Sequence, residues 1–404
     1  MDIKDLKLAK LLKFRSPRSY RGGHHIELVR SGKQYFDLCE RIIDEAEKYI
    51  HFQTYIIDDD ETGRRIVDAL VRAANRGVRI YFLLDGYGAR SFSKNLIRRV
   101  EEAGILFRKF SPVFITKGFH LSLRLHHKVL LADGNVTVIG GINVANRYNG
   151  TPEMKEWLDF AILIKGPEVA HTLNILKKLW NRTFLSKKEK SAETVHAPVF
   201  YSDDVQVKVL QNNWYRNKIE ILKSYRSAVR KSKDHVIIFA SYFLPGRHER
   251  KILRDAGNRG VDIKIVLSAV SDTRLFNRAT LFLYDFILRS NIRIYEYLPS
   301  VLHAKVATVD GVWSSIGSYN LNHLSDYGSI ETNADILDVA FSEYFEHILL
   351  DIIEKDCREI TITEYARRKT WYYQFLGWTS YQIIRFLMRM MFLLTTKKSK
   401  PLNL

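Results

Sequence analysis

Residues 125–143 read LHHKVLLADGNVTVIGGIN, and residues 302–320 read LHAKVATVDGVWSSIGSYN. The second stretch repeats the first at a constant displacement. His126, Lys128, Asp133, Gly140 and Asn143 answer to His303, Lys305, Asp310, Gly317 and Asn320, each pair 177 positions apart. One copy of H-x-K-x4-D-x6-G-x2-N is a weak pattern. Two copies in identical register, each crossing an apolar run that reads as a strand (129–132 and 306–309), mark an internal duplication. On a strand, residues i and i+2 share a face, so the His and Lys of each copy project together. An imidazole beside an ammonium suits a phosphodiester: one attacks phosphorus or moves a proton, the other neutralises oxygen charge.

The duplication extends outward from these strands. Residues 73–80, AANRGVRI, are echoed by 256–263, AGNRGVDI. In each copy a helix ends at the glycine, which suits a left-handed C-terminal cap, and a strand begins at the valine. Apolar strands over 50–57 and 236–243 precede those helices, and Ala103-Gly104-Ile105 and Ser290-Asn291-Ile292 each lead into another short strand. Opening strands are read at 26–29 and 205–210, and a helix at 167–184 closes the first half. The alternation predicts an α/β fold, with two repeated α/β sandwich halves related by a pseudo-two-fold axis, plus a C-terminal amphipathic helix. The expected boundaries are a basic N-terminal segment (1–22), a first half (23–185), a polar linker (186–202), a second half (203–360) and a basic, aromatic tail (361–404).

Composition narrows the partners. Among 404 residues, the formal net charge is +18 and the hydrophobic fraction 46%, which describes a packed protein that meets something anionic. Nucleic acid and an anionic bilayer both fit that charge. Cys39 and Cys357 are too few for a disulfide framework and suit a reducing compartment. Lys, Arg and Asp interrupt every apolar run of the first 21 residues, so no secretory signal is read there; a short basic amphipathic helix and a frayed terminus both fit.

If the halves face each other across the pseudo-axis, two histidines flank one phosphorus. One attacks to give a phosphohistidine; the other, protonated, donates to the departing alkoxide and then deprotonates the acceptor. Lys128 and Lys305, with Asn143 and Asn320, hold the non-bridging oxygens. The two ammonium groups supply the positive charge, so no metal or other cofactor is required, and no H-x-x-x-H or C-x-x-C spacing stands out.

On these residues the chain resembles the phospholipase D superfamily, whose mark is the duplicated H-x-K-x4-D motif. Within it, the chain is most similar to bacterial cardiolipin synthases of the type without N-terminal transmembrane helices. The likeness runs from about His24 to Ile353 and takes in Gln53-Thr-Tyr55 ahead of Asp58 and Gly63, Tyr242-Phe-Leu-Pro245, Arg124-Leu-His126-His-Lys128 and Ile294-Tyr-Glu-Tyr297. The resemblance implies a catalytic set of His126, Lys128, Asp133, His303, Lys305 and Asp310, with His126 as nucleophile and His303 as acid and base; the reverse order of the histidines stays open. It implies that Asp133 and Asp310 brace the motif loops, that Gly140 and Gly141 form a turn and let backbone come close to phosphate, and that Gly317 is a supporting residue of the second copy. It also implies a glutamate some 28 residues past the histidine that orients the ring, and Glu331 stands at that distance from His303 (331 − 303). For His126 the partner is open among Glu153, Glu156 and the aligned Trp157-Leu-Asp159. His127, facing away and matched by Ala304, reads as structural.

The tail assigns the substrate class. Arg367-Arg-Lys369 precedes Trp371, Tyr372, Tyr373, Phe375, Trp378 and Tyr381; an apolar run over 383–394 follows, closed by Lys397, Lys398 and Lys400. Arg385 and Arg389 inside the run argue against a spanning helix and for one lying in the bilayer interface, the bland alternative being a helix docked on its own protein. The expected enzyme is a peripheral phosphatidyltransferase on the cytoplasmic face of the cell membrane. It uses anionic phospholipid (phosphatidylglycerol) and no nucleic acid. Hydrolysis to phosphatidic acid is the second reading and a nuclease the third, for which the apolar tail has no use.

Overall fold

Apolar runs flanked by turn residues become strands of two sheets with the same order, and the amphipathic segments between them become helices laid on the sheets. The computed structural model describes residues 19–111, 123–182, 190–193, 199–213, 218–322, 325–326, 328–368 and 370–396. The helix expected at the N-terminus lies outside them, as does most of the expected linker. The first half runs β1 (Arg21–Arg30), α1 (Lys33–Glu45), β2 (Tyr49–Thr54), α2 (Glu61–Asn75), β3 (Arg79–Asp85), α3 (Lys94–Glu102), β4 (Leu106–Phe110), β5 (Arg124–Leu125), β6 (Lys128–Ala132), β7 (Val136–Gly140), α4 (Asn146–Asn149), β8 (Phe160–Lys165) and α5 (Glu168–Arg182). The second runs β9 (Val205–Asn213), β10 (Lys218–Ile219), α6 (Glu220–Lys231), β11 (His235–Ala240), α7 (Arg247–Asn258), β12 (Asp262–Ser268), α8 (Arg274–Leu288), β13 (Ile292–Tyr297), β14 (Lys305–Val309), β15 (Trp313–Gly317), β16 (Ser329–Leu337), α9 (Val339–Asp356) and β17 (Cys357–Ile360). Two further helices follow, α10 (Ile362–Arg368) and α11 (Trp371–Thr396).

Sheet one has the order β1-β8-β7-β6-β2-β3-β4. Sheet two has β9-β16-β15-β14-β11-β12-β13, with β17 added antiparallel at the β13 edge. In both, the last three shared strands are parallel, as βαβ crossovers require, and the rest antiparallel. Local chemistry sets the ends. Asp60 caps α2 by accepting from the Gly63 N–H, and Arg76-Gly77 closes it with Gly77 at φ 91°. Strand β17 has no counterpart among the described residues of the first half.

Each sheet has its own outer core: Phe36, Ile66, Leu70 and Phe82 in one, Ile238, Leu253, Ile265 and Leu283 in the other. A third core belongs to both halves. Trp180 of α5 and Tyr81 pack there with Val209, Ile237, Leu302 and, from α9, Phe345 and Leu349. Backbone pairing joins the halves as well, β1 antiparallel to β9 and β5 parallel to β16. Two residues of the segment read as a solvated linker are fastened to the first half: the Tyr81 hydroxyl donates to Glu193, and the Ser191 N–H donates to Asn181 Oδ1 at 2.8 Å.

The tail takes the docked arrangement weighed for it and keeps one face open. Helix α11 docks on α8 through Gly377, Ser380, Tyr381 and Ile384, all buried; a Cβ on Gly377 would stand 3.1 Å from the Arg278 carbonyl oxygen. Its other face leaves Trp371 (80% exposed), Phe375, Trp378 and Phe386 (63%) in the open. Among the described residues no helix is long and apolar enough to cross a membrane.

Candidate active site

The strands β6 and β14 begin at the same place in the molecule. His126, just before β6, donates its backbone N–H to the Ile330 oxygen (3.0 Å); His303, just before β14, donates to the Leu158 oxygen (2.8 Å). Each motif is thus tied to the strand entry of the opposite half, and the four side chains His126, Lys128, His303 and Lys305 come together. At the far ends of these strands the chain turns back through Asp133-Gly134 (φ 53° and 69°) and Asp310-Gly311 (φ 54° and 62°). Successive positive φ values give the type I′ turn that matches strand twist, and Asp and Gly are residues that tolerate it. Asp133 accepts the N–H groups of Glu47, Lys48 and Tyr49 at 2.8–2.9 Å; Asp310 accepts those of Lys233, Asp234 and His235 at 2.9–3.0 Å. Four strand residues lie between each and its lysine, five steps of the strand or roughly 16 Å. Grouped with the catalytic set in the sequence reading, these aspartates sit away from the histidines and staple the hairpins.

The carboxylates correct a second expectation. Glu331 does not orient His303; its Oε2 lies 2.9 Å from Nδ1 of His126, in the other half. His303 Nδ1 instead meets Asp159 Oδ2 at 2.5 Å. The two carboxylates occupy equivalent positions. Gly140 pairs with Ala161 and Gly317 with Asn333, and each carboxylate stands two residues before that partner. A longer β7–β8 connection separates Asp159 from His126 by 33 residues (159 − 126) against the 28 of the second copy, which hid the match. Glu331 is fully buried and further saturated by Ser318 Oγ (2.6 Å) and Ser329 Oγ (2.7 Å).

The glycines after the motif strands are required by packing. A Cβ on Gly140 would come within 2.5 Å of the Ala161 Cβ, and one on Gly317 within 2.3 Å of Asn333 Oδ1. Both make room for the neighbouring strand. Gly141 makes room for the Asp159 carboxylate, 2.5 Å from where its Cβ would stand. Asn143 and Asn320 do face the cleft, each with a buried Oδ1 that has no hydrogen-bond partner among the described residues. His127 is locked in the core between Thr332 Oγ1 (3.0 Å) and Gln53 Oε1 (3.1 Å).

Burial and like charge dominate the electrostatics. Lys128 is pushed down to about 7 by burial and then by the Lys305 ammonium. Burial also lowers Lys305, against the pull of Asp159 and Glu331. His126 is lowered by burial, with Glu331 opposing, and His303 is held well below its usual value by burial and then by Lys305 and Lys128. Asp159 is pushed up to about 6 by burial, with Lys305 pulling the other way. Burial would raise Glu331 too, but His126 and Lys128 outweigh it and hold it low. Two desolvated ammonium groups repelling each other define a place where an anion is stabilised. The Nδ1–H of His126, given to Glu331, leaves Nε2 with a free lone pair.

His126, His303 and Glu331 line a cavity of about 870 Å³ whose wall carries the aromatic rings of Tyr55, Tyr87, Tyr148, Trp157, Tyr242 and Phe276. His126 is the more open of the pair, its side chain 17% exposed against 6% for His303. Tyr55 packs edge-on to His126 with ring centres 5.0 Å apart; the Tyr148 hydroxyl lies 3.3 Å from His303 Nε2. Arg147, paired with Asp58, and Asp272, which accepts from the Tyr242 hydroxyl at 2.6 Å, complete the polar lining. The sequence reading missed Tyr148, Arg147 and Asp272. Ser325 stands where the second half would repeat Tyr148, so no repeat could flag it.

Comparison with known proteins follows from this geometry. The family described as "Cardiolipin synthase, PLD-like domain" matches residues 39–180 and 225–352, well over half of the chain. Cardiolipin synthase B of Escherichia coli K12 is 29% identical over 367 residues, covering 87% of this chain and 86% of that protein. A cardiolipin synthase of Halalkalibacterium halodurans is 27% identical over 364 residues, 87% of this chain and 70% of its own length. Among solved structures, phosphatidylserine synthase of Haemophilus influenzae superposes with a TM-score of 0.69 at 13% identity, over 96% of this chain and 98% of that one, a likeness of fold.

Proposed function

Since the chain belongs to the phospholipase D superfamily, in the family described as cardiolipin synthase, PLD-like domain, we propose that its cleft moves a phosphatidyl group from one phosphatidylglycerol to another. The observation that carries this reading is the meeting of two histidines, one from each half, at a single cavity with aromatic groups in its wall, each histidine with its lysine buried beside it. Nε2 of His126 attacks the phosphorus of the first lipid, and the bond to the glycerol oxygen breaks. His303 gives that oxygen its proton, and glycerol leaves. Its low affinity for a proton in the free protein comes from burial and the two lysines; a phosphodiester seated between them reverses the sign of the local charge and lets His303 hold the proton. The glycerol hydroxyl of the second lipid then loses its proton to His303 and attacks the phosphohistidine. The phosphorus–nitrogen bond breaks, and cardiolipin is released. Lys128 and Lys305 bear the charge that builds on the non-bridging oxygens.

His126 is assigned the attack because it is the more exposed and has its Nδ1 proton committed to Glu331. The open face of α11, rich in Trp and Phe, brings the cleft to an anionic membrane surface as a peripheral helix. Because Tyr381 and Ile384 belong to the core, this is tested by substitution rather than truncation. Trp371→Ser with Phe375→Ser and Phe386→Ser is expected to lose cosedimentation with phosphatidylglycerol liposomes while keeping its melting temperature; undiminished binding refutes the interfacial role.

Incubation of the purified protein with isotopically distinct phosphatidylglycerols, followed by mass spectrometry, tests the reaction. Mixed-label cardiolipin and one glycerol per molecule formed are expected. Phosphatidic acid as the main product would establish hydrolysis instead, and cleavage of an oligonucleotide without lipid turnover would establish a nuclease.

A further inference from the structure

A second cavity, of about 810 Å³, lies between α7, α8, β17 and the junction of α10 with α11. Its lining divides by chemistry. Leu281, Phe282 and Phe286 of α8 form an apolar side, Arg250, Arg278 and Arg367 contribute cations, and the two carboxylates of the lining, Asp285 and Glu296, are met by Arg289 and Arg358. None of these three arginines pairs with a carboxylate among the described residues. Arg250 is the most informative. Its buried Nε has no hydrogen-bond acceptor, and its guanidinium lies 5.6 Å from the centre of the Phe286 ring. A buried guanidinium N–H without an acceptor is unfavourable, and an anionic oxygen is the group that satisfies it best. Thr370 and Gln374 also line the cavity, and beside them in α11 stand the exposed Trp371 and Phe375.

We propose that this cavity is a second phospholipid site, distinct from the catalytic cleft. The phosphodiester of an anionic lipid seats against Arg250 and Arg278, and its acyl chains run along Leu281 and Phe282 toward the open face of α11. A free phosphate ester offers the same oxygens but has no use for the apolar side, which is why a membrane lipid is the occupant. Helix α8 walls both cavities, Phe276 facing the catalytic one and Asn277 this one, so a lipid held here fixes the wall of the active site. That the cavity opens at a bilayer rests on the interfacial role proposed for α11; the binding itself does not.

The test is photocrosslinking of the full chain, in phosphatidylcholine liposomes and in neutral detergent, with phosphatidylglycerol carrying a photoactivatable acyl chain, followed by peptide mapping. Label is expected on residues 281–286 of α8, which line this cavity and not the catalytic one, as well as in peptides of the catalytic cleft. In an Arg250→Gln/Arg278→Gln protein the α8 label should fall about tenfold and the cleft label persist. Leu281→Trp, which fills the cavity and spares the arginines, should do the same if the double variant melts early. Label confined to the cleft, or α8 label unchanged in both variants, overturns the second site. Competition of the α8 label by inorganic phosphate or glycerol phosphate at the concentration of the lipid would make it a soluble-ester site and overturns the lipid assignment. Absence of label from both cavities counts against this site and against the lipid reading of the cleft together, whereas cleft label alone leaves that reading intact.

Discussion

The two halves share a sheet order, a type I′ hairpin, an aspartate staple and a carboxylate at the same register, yet their histidines live in different surroundings. His126 stands at the open side of the cavity against Tyr55, with a carboxylate that three other groups hold ionised. His303 is nearly enclosed by Tyr148 and Trp157, and its carboxylate, Asp159, is pushed up to about 6 by burial. What repeats is the scaffold that delivers an imidazole and an ammonium to one point. What differs is how each imidazole holds its proton, and the proposed division into attack and proton transfer rests on that difference.

The histidines test this contrast most severely. His126→Ala and His303→Ala are each expected to reduce turnover by about 10⁴-fold or more, since members of a catalytic unit fail together. Rapid quench into alkali with phosphorus-labelled lipid separates them. A labelled peptide containing residue 126 should be recoverable from the wild type and from His303→Ala, and label on His303 in the wild type would reverse the roles. Next come the carboxylates. Glu331→Gln should slow formation of the intermediate, and Asp159→Asn its breakdown, each by roughly 10²–10³-fold, between the loss of an outer orienting contact and the loss of a buried triad carboxylate. Equal effects on the same step would erase the asymmetry.

The lysines supply a pH signature. Lys128, pushed down to about 7, is charged below that pH and neutral above it, so kcat/KM should fall as pH rises through about 7. The acid limb lies below the ordinary histidine value, because His126 is lowered and must be unprotonated to attack. In Lys128→Arg the alkaline limb should disappear up to pH 9, since a guanidinium does not lose its proton there; an unmoved limb would assign it to another group. The smallest effect belongs to the staples. Asp133→Asn and Asp310→Asn should each cost about 1–2 kcal/mol of stability, lowering Tm by a few degrees and leaving kcat per folded molecule nearly unchanged. A large loss of kcat would place the aspartates in the chemistry after all.

Much of this arrangement is written locally. The Asp-Gly turns, the Asn-Arg-Gly helix ends and the alternating apolar runs are short-range signals, and their repetition reveals the common order of β1 to β8 and β9 to β16. The carboxylate exchange is not local. It depends on the lead-in to β16 lying beside His126 and that to β8 beside His303, a contact between halves that a distance along the chain cannot express. Counting residues from His303 therefore found the right glutamate and gave it to the wrong ring. Asp159 escaped a firm assignment because five extra residues between α4 and β8 lengthen its connection. Strand β17 and the cavity beneath α11 have no counterpart among the described residues of the first half, so the repeat carried no information about them.

The crossing of Glu331 to His126 and Asp159 to His303 has a consequence for inheritance. Neither half carries a complete histidine–carboxylate pair, so a lone half could work only as two copies associated face to face. Joining two such copies in one reading frame makes the association obligatory and frees each from being identical to the other. From then on, a substitution beside one histidine is selected together with its partner on the far side of the linker. Exchange of a whole half with a divergent relative should therefore be poorly tolerated, even where either parent sequence works well in its own context.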